Sequence, residues 1–183
     1  YTKVNIMKIR YAAIFLALPL LCTTAQANSF LHYAGEFNFR TGEKQNNVTI
    51  AGLSAITFDA KKNIFYAIND SRNNNKEGDA SLYTLKIQVS SRGIEQVNFL
   101  NQRPLLDAKQ QPFVTNTVDA EGLALTHNGK SLLWSSELGA PLRLSTLDGV
   151  MEKDFTSLFP ARFNISSDKE SSNGIRSGNA WEG

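Results

Sequence analysis

Three acids stand close together in the segment VDAEGLALTHNGKSLLWSSE: Asp119, Glu121 and Glu137. Two precede an apolar run and the third follows the next one. Acids at such spacing could gather at one point, and clustered carboxylates repel unless they share a proton or a cation. Hard carboxylate oxygens suit Ca²⁺ or Mg²⁺. An arginine beside them would hold a phosphate or carboxylate through its planar fork of donors. A metal held by acids with arginine nearby suits phosphate-ester hydrolysis, because it polarises the phosphoryl oxygen and activates water. Taken singly, Asp70, Asp119 and Glu137 read first as turn caps and loop-solvating acids. Glu121 and Glu182 are the stronger candidates, each directly preceding a glycine at an expected strand start.

The segments that must position these acids alternate in the manner of β-strands. Residues 54–59 (SAITFD) and 64–68 (IFYAI) flank a polar turn and predict a hairpin. Residues 81–89 (SLYTLKIQV) place Leu82, Thr84, Lys86 and Gln88 on one face and Tyr83, Leu85, Ile87 and Val89 on the other. Residues 94–100 supply a fourth strand. The order then recurs: 122–126, an Asn-Gly turn at 127–130, 131–135, 141–146, a turn at 147–149, and 150–155. A short helix is expected near 155–159.

Ala51-Gly52-Leu53, Glu121-Gly122-Leu123 and Glu182-Gly183 suggest three unit starts, with glycines 70 (122 − 52) and 61 (183 − 122) residues apart. Repeated four-stranded antiparallel units predict an all-β, incomplete β-propeller: about two blades and the start of a third. A β-sandwich with accidental glycine similarity is the alternative. The spacing exceeds the roughly 40–50 residues of common blades, and long loops at 69–80 and 107–118 would absorb the excess. Propellers close with about 4–8 blades, so the chain reads as the N-terminal fragment of a longer, monomeric protein.

Within a blade the first strand lies nearest the axis and the second runs antiparallel to it. The start of the first and the end of the second therefore share a rim. That geometry sends Asp70, Asp119, Glu121, Glu137 and Glu182 to one mouth, with Arg72 and Arg176 among them. His127 falls in the turn at the opposite rim.

Several other patterns fail. Gly52-Leu53-Ser54-Ala55-Ile56 lacks the last glycine of G-x-S-x-G. Residues 70–75 (DSRNNN) lack the glycine and glutamate of an EF-hand loop. His32 is isolated, and Trp134 and Trp181 read as packing residues.

The N-terminal stretch has a different character. Residues 1–6 precede Met7 and read as upstream sequence. Residues 7–27 combine Lys8 and Arg10, an apolar run from Tyr11 to Cys22, and an Ala25-Gln26-Ala27 cleavage site: the pattern of a secretory signal peptide. The run is shorter than the roughly 20 residues of a membrane span. Cleavage after Ala27 leaves residues 28–183 without a membrane anchor and without the only cysteine, Cys22. It also leaves 16 bases against 17 acids, a net charge of −1, so the basic balance of the whole chain is no argument for a nucleic-acid partner.

The quoted segments also resemble a family. GLSAITFDAKKNIFYAINDSR, SLYTLKI, DAEGLAL with LLWSSE, and GIRSGNAWEG are similar to the successive signatures of the esterase-like phytase proteins. DAEGLAL and R-x-x-N-x-W-E-G are the more specific. The resemblance implies a secreted or periplasmic phytase-like propeller and a phosphoesterase acting on a small-molecule phosphate ester. It implies functional roles for Asp70, Arg72, Asp119, Glu121, Glu137, Arg176, Asn179 and Glu182, with Asn179 joining Arg72 and Arg176 in substrate binding. A calcium-dependent lactonase or carboxylic-ester hydrolase, and a non-catalytic periplasmic binding propeller, are the competing readings.

A mature protein beginning at Asn28 is expected on export. Intact mass and N-terminal sequencing of protein recovered from the periplasm or medium test this, and retention of residues 7–27 would refute it.

Overall fold

The structure, a computed structural model, describes residues 33, 35–40, 42–45, 49–76 and 78–163, together with the backbone of 48, 165–166 and 175–176. The chain divides after Tyr33 into two units, and the blades described below belong to the second, Ala34–Gly183. The upstream residues 1–6, the leader 7–27, His32, Asn179, Trp181 and Glu182, including the expected third-blade start, lie outside the described residues, as does the side chain of Arg176.

The strands, in chain order, are β1 (Lys44–Gln45), β2 (Val48–Thr49), β3 (Leu53–Asp59), β4 (Ile64–Asn69), β5 (Ser81–Ser90), β6 (Gly93–Pro104), β7 (Ala120–Leu125), β8 (Ser131–Ser136), β9 (Leu142–Thr146), β10 (Met151–Asp154), β11 (Ile165–Ser166) and β12 (Ile175–Arg176). Strands β3 to β6 form one four-stranded sheet in sequence order, and β7 to β10 form another. Every neighbouring pair in these two sheets is antiparallel. The protein is all-β, and the two meanders have the form of propeller blades. β1 pairs with β2, and β11 runs parallel to β12. Two single 3₁₀ turns, Thr156–Leu158 and Ala161–Phe163, are the helical elements among the described residues; the first falls where a short helix is expected.

Each blade is two-faced because side chains alternate along a strand. Tyr66, Ile68 and Leu82 of blade one join Leu105, Val118, Ala120, Leu132 and Trp134 in one core between the blades. Ala67, Tyr83, Leu85, Val97 and Phe99 form a second core on the other face of blade one, covered in part by Phe39 and Ile50. The alternation of residues 81–89 therefore serves two cores. The inner strands β3 and β7 are linked directly: Ser54 Oγ donates to Ala120 O (2.6 Å), and Leu125 N–H donates to Thr57 Oγ1 (3.3 Å).

The blades superimpose in register. Leu53 pairs with Asn69, and Ala120 pairs with Ser136, an offset of 67 residues (120 − 53 and 136 − 69). Each inner strand carries one extra residue just after its start, between Leu53 and Ala55 in β3 and between Ala120 and Leu123 in β7. The glycine spacing of 70 is thus not the structural repeat. Gly52 occupies the position equivalent to Asp119, whereas Gly122 lies inside β7. Gly52 is required for a local reason: its φ is +54°, and the Asp70 carboxylate lies where a Cβ would project.

Trp134 is 1% exposed, and its indole N–H donates to Ser145 Oγ (2.9 Å). Trp134→Ala removes a large side chain from between the blades and leaves the serine without that donor. A loss of about 3–5 kcal/mol is expected in urea denaturation. A loss below about 1 kcal/mol would show that the blades do not depend on this contact.

Candidate functional site

The acids meet where the β7–β8 ladder begins. Glu137 N–H donates to Asp119 O (2.9 Å), and Asp119 N–H donates to Ser136 Oγ (3.1 Å). The start of one strand and the end of the next are thereby fixed side by side. Glu121 and Gly122 lie between the paired positions Ala120 and Leu123, where the bulge falls. A bulge turns a side chain away from the regular alternation. Glu121 therefore lies inside the strand rather than before it, since β7 begins at Ala120.

One carboxylate oxygen from each of Asp119, Glu121 and Glu137 lies within 4.8 Å of the others, so the trio could hold a metal ion. Asp119 is 1% exposed and Glu137 is 6% exposed, while Glu121 is half-buried. Withdrawing carboxylates from water at this separation is costly unless positive charge accompanies them. A cation with bonds of about 2.3–2.6 Å to oxygen spans oxygens up to about 5 Å apart, which matches this spacing.

Blade one contributes one positive charge. Arg72 Nη2 lies 2.6 Å from Asp119 Oδ2, and Arg72 Nε donates to the same oxygen at 2.8 Å. The arginine reaches across because the loop after β4 is stitched to the loop before β7. Asn116 N–H donates to Arg72 O (2.8 Å), Thr115 Oγ1 donates to Asn73 O (2.9 Å), and Asn73 Nδ2 donates to Phe113 O (2.8 Å). The two long loops that lengthen the repeat thus pack on each other at the acidic rim.

Asp70 N–H donates to Gly52 O (2.9 Å), the same pairing that Glu137 makes with Asp119. Asp70 sits at the equivalent rim position of blade one and is exposed, but it does not join the group of three. Among the described residues the cluster draws its acids from blade two, and Gly52 and Ser54 stand in blade one at the positions equivalent to Asp119 and Glu121. Arg72 reads from sequence as a phosphate ligand; in the structure its guanidinium pairs with Asp119. His127 is exposed in the β7–β8 turn at the other rim, as expected.

Sequence reasoning missed Ser136 and Arg143. Ser136 Oγ accepts from Asp119 N–H and donates to Leu138 O (2.7 Å), which pins the turn after β8. Arg143 is 4% exposed and points inward from β9 beside Trp134. In the structure Arg143 and Ser145 are buried and both leucines are half-buried.

Residues 48–183 match the model of the phytase-like family, described as esterase-like activity of phytase, and the chain belongs to that family. The match begins four residues before Gly52, where the sequence resemblance starts, and runs through both blades. No curated protein and no solved structure matches the chain. At the level of the family, the protein is a phytase- or esterase-like hydrolase. No helix among the described residues is long and apolar enough to cross a membrane.

The pairing of Arg72 with Asp119 should be energetically coupled across the blades. A double-mutant cycle with Arg72→Met and Asp119→Asn is expected to give about 1–3 kcal/mol, tempered because the arginine side chain is 39% exposed. A coupling indistinguishable from zero would mean that the contact does not hold in solution.

Proposed function

We propose that the acidic rim is the site of a secreted or periplasmic, metal-assisted phosphoesterase. The observation that supports this most is the trio of Asp119, Glu121 and Glu137 within 4.8 Å, two of them buried, in a chain of the phytase-like family. Three hard oxygen donors suit Ca²⁺. Bound there, the ion would polarise a phosphoryl oxygen and acidify water.

The chain's own residues divide the remaining work. Asp119 and Glu137 are held by backbone pairing and are the rigid ligands. Glu121, half-buried on the bulge, faces the mouth as ligand and proton acceptor. Arg72 pairs with Asp119 and orients it, and its partly exposed guanidinium contributes positive charge where a phosphate would approach. Arg176 and Asn179 are assigned to phosphate binding and Glu182 to catalysis on the family resemblance. Asp70 belongs to the outer lip of the same mouth.

One observation favours a second reading, hydrolysis of a carboxylic ester or lactone. Arg72 already serves Asp119, and an ester substrate needs fewer phosphate-facing bases than a phosphate monoester.

The two readings separate on substrates. The wild-type protein should hydrolyse p-nitrophenyl phosphate, and Glu121→Gln should lower that turnover about 10²-fold or more with its melting temperature unchanged. Arg176→Ala should weaken phosphate-ester turnover selectively. Removing divalent ions with a chelator should lower both melting temperature and activity. Activity on p-nitrophenyl acetate or a lactone but not on the phosphate would favour the second reading. No turnover of any ester would leave a binding propeller, and indifference to chelation would remove the metal.

A further inference from the structure

Arg143 is an unusual filler for the space it occupies. Its guanidinium carbon lies 4.9 Å from the Trp134 ring centroid and 5.2 Å from that of Phe113. Its Nη1 is buried with no hydrogen-bond partner among the described residues. Burial draws the guanidinium down to a pKa of about 10, an effect opposed by the carboxylate of Asp154 on the adjacent strand. An apolar chain of similar volume would fill the gap without taking a charge out of water. What arginine adds is a flat, rigid donor that can stack and hydrogen-bond at once.

Among the described residues that donor is used at one place. Arg143 Nη2 donates to Thr117 O (3.3 Å). Gly139 closes over the bond: with φ at +68°, a Cβ there would lie 2.5 Å from Thr117 O and 2.7 Å from the same Nη2. Thr117 is two residues before Asp119, and Gly139 is two residues after Glu137. The guanidinium thus lies under both acid-bearing segments, with aromatic rings limiting its movement.

We propose that Arg143 is a positioning residue that clamps the Thr117–Asp119 segment to the Glu137–Gly139 turn and so sets the spacing of the three carboxylates. The clamp stands on the hydrogen bond to Thr117 and the close approach of Gly139; its consequence for cation binding rests on the metal reading of the site. Side chains behind a metal's ligands commonly alter affinity by about 10–100-fold when replaced.

The test compares wild type, Arg143→Met, Arg143→Lys and Leu85→Ala. Leu85 is buried in the core on the far face of blade one, so its replacement reports general destabilisation. Hydrogen–deuterium exchange should rise in Arg143→Met at residues 117–121 and 136–139, while exchange in β4 and β5 stays at the wild-type rate. Leu85→Ala should show the reverse distribution. Arg143→Lys, which keeps the charge but not the planar fork, should show the same two segments loosened to a smaller degree, and it stands in if the methionine variant does not fold. Unchanged exchange in those segments, or a rise spread evenly over both blades, overturns the clamp. Calorimetric titration with CaCl₂ should show affinity about tenfold weaker in Arg143→Met than in wild type. If wild type binds no Ca²⁺, the metal reading falls, and the exchange pattern alone decides whether Arg143 positions the rim.

Discussion

Antiparallel pairing at the start of β7 governs the acidic rim. The hydrogen bond from Glu137 N–H to Asp119 O closes the ladder, and it brings two acids 18 positions apart in the chain (137 − 119) onto one edge. Glu121, two positions along from Asp119 and at the bulge of β7, brings a carboxylate oxygen within 4.8 Å of theirs. A slip of one residue in this pairing would turn the strand over and send the acids to opposite faces. Register is therefore the constraint on which any chemistry of the trio depends.

Register at the rim is protected by packing below it. Trp134, Leu132 and Ala120 share a core with Tyr66, Ile68 and Leu82, so sliding β7 against β8 would disrupt the contact between blades. The same core holds the two long loops together above it. Arg72 leaves one loop to meet Asp119, and Asn73, Thr115 and Asn116 tie that loop to the other. Charge and packing support one another: the ion pair is formed where apolar burial has already fixed the distance, so little ordering remains to be done.

Blade one shows what the rim looks like without the two inner acids. It has the same bulge and the same closing bond, Asp70 N–H to Gly52 O. At its two inner positions stand Gly52 and Ser54, and Ser54 Oγ is turned to the Ala120 carbonyl. One backbone framework thus carries a cross-blade link in one unit and a carboxylate group in the other. This matches the wider rule that function resides in the side chains grafted on a fold.

The sequence by itself determined the strands, their order and the shared rim of Asp119, Glu121 and Glu137. Alternating hydrophobicity, turn residues and antiparallel pairing are local properties, readable from neighbours in the chain. The family was legible too, in DAEGLAL and the strands around it. Tertiary structure alone decided the rest. The glycine motifs suggested a repeat of 70, but strand pairing sets it at 67, because hydrogen-bond register and not residue likeness defines equivalence. Asp70 looks like a fourth member of the cluster, yet its own blade keeps it outside. Arg72 and Asp119 are 47 residues apart and meet only because two loops pack together. Nothing within residues 141–146 marks Arg143 as interior; Trp134 from β8 and Phe113 from the loop before β7 cover it. Each of these depends on partners distant in sequence, and a pattern confined to one strand carries no information about which distant surface will cover it.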